Sequence, residues 1–234
     1  MSPDVRERNA WIGGAIGRLG DALVEQVVAR CYARVCVLGP HPMPTTVRGF
    51  ESVDLETLKA FPGARRCDDV YLLFDPRPPR PGARAAFDPL PTAAAVLAVA
   101  ETAAAAGAKR LLLLAPLAAW QQLSAATRLL PQGLEAALAA TSIATVIVMK
   151  PTREAATPSR AGPRLRRFAR FYLSQLRFML PSSSQVIRSV DLAQIAVEQL
   201  TAADTPGMRV VGLAAIEAAI AARRAAAAAR SARR

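Results

Sequence analysis

Ala10-Trp11-Ile12-Gly13-Gly14-Ala15-Ile16-Gly17-Arg18-Leu19-Gly20 is the stretch that decides the fold. Its first four residues form a short apolar run that predicts a β-strand over 9–13, and a helical pattern over 18–31 follows. Gly14, Gly17 and Gly20 stand at intervals of three across the junction. Glycine there serves three needs: dihedrals closed to other residues, a bare backbone that a phosphate can approach, and close packing of helix on strand. The spacing differs by one residue from the standard Gly-x-Gly-x-x-Gly phosphate loop, so a tight turn in any α/β protein is the competing reading. Asp21, just inside the helix, is placed to suit its positive end.

Outward from this junction, β-branched or leucine-rich runs at 34–38, 46–49, 69–74, 109–115, 143–149 and 208–212 alternate with helical patterns at 55–60, 91–106, 126–140, 163–178, 190–201 and 213–230. The alternation predicts an α/β fold, a doubly wound (Rossmann) parallel sheet flanked by helices, with a small C-terminal substrate region. One domain over 1–217 is expected, with 155–205 as the substrate or lid region and 218–234 as an Ala/Arg-rich basic tail, either a frayed helix or disordered. Gly107 is placed to end the 91–106 helix, and Ser189 to cap a helix buried along Leu192, Ile195, Ala196 and Leu200. Residues 75–91 hold six prolines and cannot form regular helix or central strand. They read either as a loop over a ligand at the carboxyl edge of the sheet or as a rigid surface connection.

A chain of 234 residues with 52% hydrophobic content can bury one substantial core. Its net charge of +12 is unevenly placed: residues 155–190 hold seven arginines and no acid, residues 218–234 hold five and no acid, and these account for the whole excess. A neutral body with two basic segments is a different object from a uniformly basic nucleic-acid binder. Two readings compete for the stretch Leu165, Phe168, Tyr172, Leu176 and Met179: a basic amphipathic helix docking on a membrane surface or RNA, and packing against the sheet edge. Lysine occurs only at 59, 109 and 150, so part of the basicity reads as compositional bias. Cys31, Cys36 and Cys67 lack Cys-x-x-Cys spacing and predict reduced, mostly buried thiols, with neither disulfide nor metal. With no apolar leader and no charge-free apolar stretch of eighteen residues, a cytoplasmic protein without a transmembrane span is expected.

These residues together resemble the atypical short-chain dehydrogenase/reductase family, the small NAD(P)H-binding oxidoreductases similar to the Tat-interacting tumour-suppressor protein, over residues 9–212. Gly14 to Gly20 is similar to the family's Gly-Ala-Thr-Gly-x-x-Gly loop, with Ile16 replacing threonine. Val53-Asp54-Leu55 is similar to its Gly-Asp-Leu step, Ala108 to Leu114 to its Gly-Val-Lys-x-Phe-x-x-Val strand, Lys150-Pro151 to its Arg-Pro, and Val190 to Ala193 to its Val-Asp-Val-Ala. The resemblance implies a dinucleotide on Gly14, Ala15, Ile16, Gly17, Arg18, Leu19 and Gly20, with Asp54 at the adenine amino group and Leu55 and Phe74 beside the nucleotide. Val37-Leu38-Gly39-Pro40-His41-Pro42 offers no acid for an NAD ribose, and Arg18 is placed to reach a 2′-phosphate, which inclines the cofactor from NAD toward NADP. Arg18 as a solvated helix-start residue and His41 as an exposed loop residue are the plain alternatives.

The family's reductases use a Tyr-x-x-x-Lys pair on one helix and a serine at the preceding strand end. The positions implied for them fall on Arg128 for tyrosine, Gln132 for lysine, and Ala115 or Pro116 for serine. No Tyr-x-x-x-Lys occurs anywhere in the chain, because Tyr32, Tyr71 and Tyr172 are followed four residues on by Cys36, Asp75 and Leu176. Ser124 and Thr127 lie nearby without a usable titration near neutral pH, and Arg128 cannot release a proton. Three functions stay open: a nucleotide-binding or sensing protein with a small molecule or protein as second partner, an NADP-dependent oxidoreductase with another proton donor, and a basic adaptor for membrane or RNA.

Overall fold

Alternation of buried strands and amphipathic helices gives β1 (Asn9–Gly13), α1 (Gly17–Ala29), β2 (Arg34–Leu38), β3 (Phe50–Val53), α2 (Leu55–Ala60), β4 (Asp69–Leu73), α3 (Ala93–Ala105), β5 (Arg110–Leu114), α4 (Leu134–Ala139), β6 (Thr145–Lys150), α5 (Ser189–Thr201), β7 (Gly207–Gly212) and α6 (Leu213–Ser231). The computed structural model describes residues 7–15, 17–30, 32–39, 49–60, 65–75, 90–115, 130–131, 133–151 and 187–231. The strands form one sheet in the order β3-β2-β1-β4-β5-β6-β7, and every pairing is parallel. The doubly wound architecture expected from the sequence is therefore the one observed.

A parallel sheet covered on both faces needs strands that are apolar throughout, which is what Arg-Leu-Leu-Leu-Leu of β5 and Thr-Val-Ile-Val-Met-Lys of β6 provide. One face packs Ile12, Val37, Tyr71 and Leu112 under α1, α5 and α6, and the other packs Trp11, Cys36, Leu72 and Leu113 under α2, α3 and α4. The helix ends follow local chemistry. Thr92 caps α3 by accepting the Ala95 N–H at 3.1 Å, and at its far end Gly107 N–H donates to Ala104 O while Ala108 N–H donates to Ala103 O, a Schellman closure.

Some expectations shift. The edge strand runs over Phe50–Val53 rather than 46–49, because Gly49 takes a left-handed φ of 81° and the pairing with β2 begins at Phe50. Residues 46–48 lie outside the described residues, as do most of the proline-rich 75–91 stretch and all of 163–178. Ser189 is the first residue inside α5, not its cap: Arg188 holds that position and makes no side-chain bond. Leu192, Ile195, Ala196 and Leu200 are buried as expected. Residues 218–231 continue α6, where Ile216 and Ile220 are buried, Arg223 pairs with Glu198, and Arg224 pairs with Asp191 at 2.7 Å.

The amino-terminal edge of the sheet carries a buried polar network. Asp69, fully buried at the start of β4, accepts from Arg110 Nε at 2.6 Å and from the Tyr32 hydroxyl at 2.8 Å, and Arg8 Nη1 stands 3.6 Å away. The Tyr32 and Tyr71 hydroxyls are 2.9 Å apart. Asp69→Ala would strand these donors, so it is expected to cost about 3–5 kcal/mol in urea unfolding, with Arg66→Ala at the exposed surface within about 0.5 kcal/mol of the parent. Burial first, then neighbouring negative charge, raises the Tyr32 and Tyr71 hydroxyls above the ordinary value of 10.0. The folded state then keeps protons that the unfolded chain releases above that value, so this stability is present below pH 10 and lost as pH rises further. Alkaline unfolding followed by circular dichroism, alongside the tyrosinate absorbance, is expected to show both tyrosines ionising only with loss of structure.

Candidate functional site

The chain leaves β1 for α1 on one face and leaves the adjacent β4 for α3 on the other, so a crevice opens at the carboxyl ends of these two strands. Such reversal points are where open α/β sheets take ligands. The glycine stretch lies there, and its three glycines have three separate reasons. Gly14 has φ 74° and passes so close to β4 that a Cβ would lie 2.1 Å from the Leu73 carbonyl oxygen. Gly20 packs α1 onto the turn, where a Cβ would lie 2.3 Å from the Ala15 carbonyl carbon. Gly17, the exposed first residue of α1 with φ 67°, is different: among the described residues a Cβ there would meet nothing within 4 Å. Among those residues, bare main chain is left uncovered at the positive end of a helix.

The first turn of α1 contains no acid. Asp21 lies a full turn in, which corrects its expected service to the helix end, since the dipole's effect is confined to the first turn. Arg18 is exposed and makes no hydrogen bond or ion pair among the described residues. Ala15 is buried, Leu19 is half-buried against the α1-side core, and Ile16 lies outside the described residues. An anion arriving here meets backbone amides and a spare guanidinium rather than a competing carboxylate.

Asp54 and Leu55 follow β3 at the same edge. The Asp54 carboxylate accepts the Thr57 N–H at 2.8 Å and the Thr57 hydroxyl at 2.6 Å, and these bonds hold its pKa below the ordinary carboxylate range. Its first task is thus to start α2, a role the sequence reading did not assign it. Leu55 packs half-buried on the α3-side core and Phe74 commits its ring to that core, its N–H donating to Leu114 O at 3.0 Å. Ala115, at the implied serine position, is fully buried with its N–H on Met149 O. Arg128, Gln132, Ser124, Thr127, His41 and Tyr172 lie outside the described residues.

The described tyrosines and cysteines stand elsewhere. Tyr32 and Tyr71 belong to the network around Asp69. Burial pushes the Cys36 thiol up to about 12 and raises Cys67 as well, so neither supplies a thiolate near neutral pH. One pair does stand at the carboxyl edge: Lys150, the last residue of β6, lies 2.7 Å from Glu135 in the first turn of α4. Sequence reasoning had linked Lys150 only to a strand-end motif, because nothing local joins positions 135 and 150. Among the described residues no three His, Cys, Asp or Glu side chains cluster as a metal site, and no helix is long and apolar enough to cross a membrane.

No family model matches the chain, and no curated protein matches it in sequence. Solved structures share its fold. A short-chain dehydrogenase from Leptospira borgpetersenii with bound NAD+ superposes with a TM-score of 0.52 at 15% identity, covering 91% of this chain and 93% of that one. Uronate dehydrogenase from Agrobacterium tumefaciens gives 0.51 at 15% identity, covering 88% and 76%. At these identities the likeness establishes a common doubly wound fold and nothing finer.

The three glycines predict a graded response to alanine. Gly14→Ala and Gly20→Ala drive a methyl group into backbone and are expected to cost several kcal/mol or prevent folding, whereas Gly17→Ala meets only the left-handed penalty of about 1–2 kcal/mol. Urea midpoints measured side by side will show whether this order holds.

Proposed function

We infer that the chain binds a nicotinamide dinucleotide, its diphosphate lying against the main chain between Gly14 and Gly17. The observation that carries this reading is that no described residue fills the space in front of Gly17 at an acid-free helix start, beside a turn whose other two glycines are fixed by packing. Arg18, exposed and without a partner among the described residues, is the group for a 2′-phosphate, so NADP is the preferred form over NAD. Among proteins of this fold, the Leptospira dehydrogenase was solved with NAD+, the same ligand class.

Because the chain contains no Tyr-x-x-x-Lys, the reading is of a nucleotide-binding or sensing protein of the atypical short-chain dehydrogenase/reductase type. Membership of the branch similar to the Tat-interacting protein, and a location in the cytoplasm, are parts of the same proposal. A second reading, an oxidoreductase with another proton donor, is favoured by the Lys150–Glu135 pair at the carboxyl end of β6. A lysine held by a carboxylate can both place a ribose hydroxyl and carry a proton.

Calorimetric titration with NADPH and NADH tests this. Both are expected to bind, Gly17→Val to abolish binding while leaving the circular dichroism spectrum intact, and Arg18→Ala to weaken NADPH about tenfold, the value of one charge-assisted hydrogen bond, with NADH unaffected. Failure of both nucleotides to bind at millimolar concentration overturns the proposal. Cofactor oxidation with a carbonyl or quinone panel, lost in Lys150→Met, would decide for the second reading.

A further inference from the structure

A cavity of about 190 Å³ opens at the opposite end of the strands from Gly17. It sits over the amino-terminal halves of β1, β2 and β3. Parallel pairing sets Asn9 beside Arg34, Trp11 beside Cys36 and Cys36 beside Glu51, so these five side chains stand on one face of three adjacent strands. Arg65 and Arg66, from the segment leading into β4, complete the wall.

Trp11 and Cys36 lie beneath it at 1% and 2% exposure, so its accessible wall is made by the polar side chains. The wall is rich in donors that the protein does not use. Among the described residues, the Asn9 side-chain amide and the Arg34 guanidinium have no hydrogen-bond or ion-pair partner. Arg65 gives its Nε–H to Glu51 Oε1 at 3.2 Å, leaving its terminal N–H groups unengaged, and Arg66 pairs with Asp68 at 2.9 Å. Three arginines thus face two carboxylates, and the unbalanced charge is positive. Arginine presents a planar fork that fits a carboxylate with two parallel hydrogen bonds.

We propose that this pocket is a second ligand site, separate from the nucleotide crevice, for a small carboxylate, its charge on Arg34 and Arg65 with help from Asn9. Glu51 holds Arg65 in place and turns away ligands with a second carboxylate. Occupancy would bridge three strands and the segment before β4, so a bound acid stabilises the amino-terminal edge of the sheet.

Benzoate is the probe. Calorimetric titration of the full chain in low-salt buffer is expected to show one benzoate site per chain that persists in saturating NADPH, whereas benzyl alcohol, which has the ring without the charge, does not bind. Arg34 is exposed, so Arg34→Ala leaves the fold intact and is expected to weaken benzoate about tenfold, and Arg18→Ala is expected to leave it unchanged. Absence of benzoate binding, equal binding of benzyl alcohol, an Arg34→Ala variant that binds like the parent, or displacement of benzoate by NADPH would each overturn the assignment. The benzoate, benzyl alcohol and Arg34→Ala outcomes do not depend on whether the nucleotide proposal holds.

Discussion

Contact between bare backbones at the first turn is the constraint on which the rest of the structure hangs. Gly14 lets the chain pass over the Leu73 carbonyl, and Gly20 lets α1 press onto Ala15. Together they fix where α1 starts relative to β1 and β4, and so where its free amide groups point. Shifting that start by the radius of a methyl group would move α1 away from α5, with which it shares the core of Leu23, Val27, Ile195 and Ala196. Close packing requires glycine at two of the three positions. At Gly17 no contact among the described residues requires it, and its left-handed φ of 67° is the one local demand.

The two ends of the sheet divide the chemistry between them. At the amino edge Asp69 is hydrogen-bonded to Arg110 and Tyr32, Tyr32 to Tyr71, and Arg8 Nη1 stands 3.6 Å from Asp69, a buried cluster that ties β4 to β5 and to the segments before β1 and β2. A charged cluster of this kind adds little net stability over an apolar one, but it punishes any arrangement that separates its members. It fixes which strands are neighbours, and it engages the hydroxyls of Tyr32 and Tyr71. The carboxyl edge, by contrast, combines backbone amides, an Arg18 without a partner among the described residues and the Lys150–Glu135 pair.

What was legible in the sequence was what repeats locally. β1, β2 and α2 fall on their expected residues because each is bounded by a sharp change in composition, and the other strands differ by a residue or two at their ends. β3 was misplaced because Phe-Glu-Ser-Val is half polar, and its strand character comes from pairing with β2 rather than from its own pattern. The glycine stretch was legible for the same local reason. The Asp69 network and the basic pocket were not: their members lie at 8, 32, 69, 71 and 110, and at 9, 11, 34, 36, 51 and 65, and only the sheet order brings them together. The tail is an intermediate case. Its helical propensity was plain, but the pairing of Arg223 and Arg224 with Glu198 and Asp191 depends on α6 lying against α5. Two of the five tail arginines are thereby neutralised within the protein, which weakens a docking role for the tail.

If the proposed dinucleotide binds, a chain without a Tyr-x-x-x-Lys pair is limited in what hydride transfer could accomplish. Reduction of an ordinary carbonyl leaves an alkoxide, a base far too strong to form unless a proton arrives in the same step. Removing the donor therefore raises the barrier for ketones and aldehydes while sparing acceptors whose reduced anion is delocalised, such as a quinone. On the proposed reading, Lys150 is fixed by the Glu135 carboxylate 2.7 Å away and would hold a ribose hydroxyl, which leaves a site without tyrosine to bind the nucleotide or to reduce only acceptors of the quinone kind.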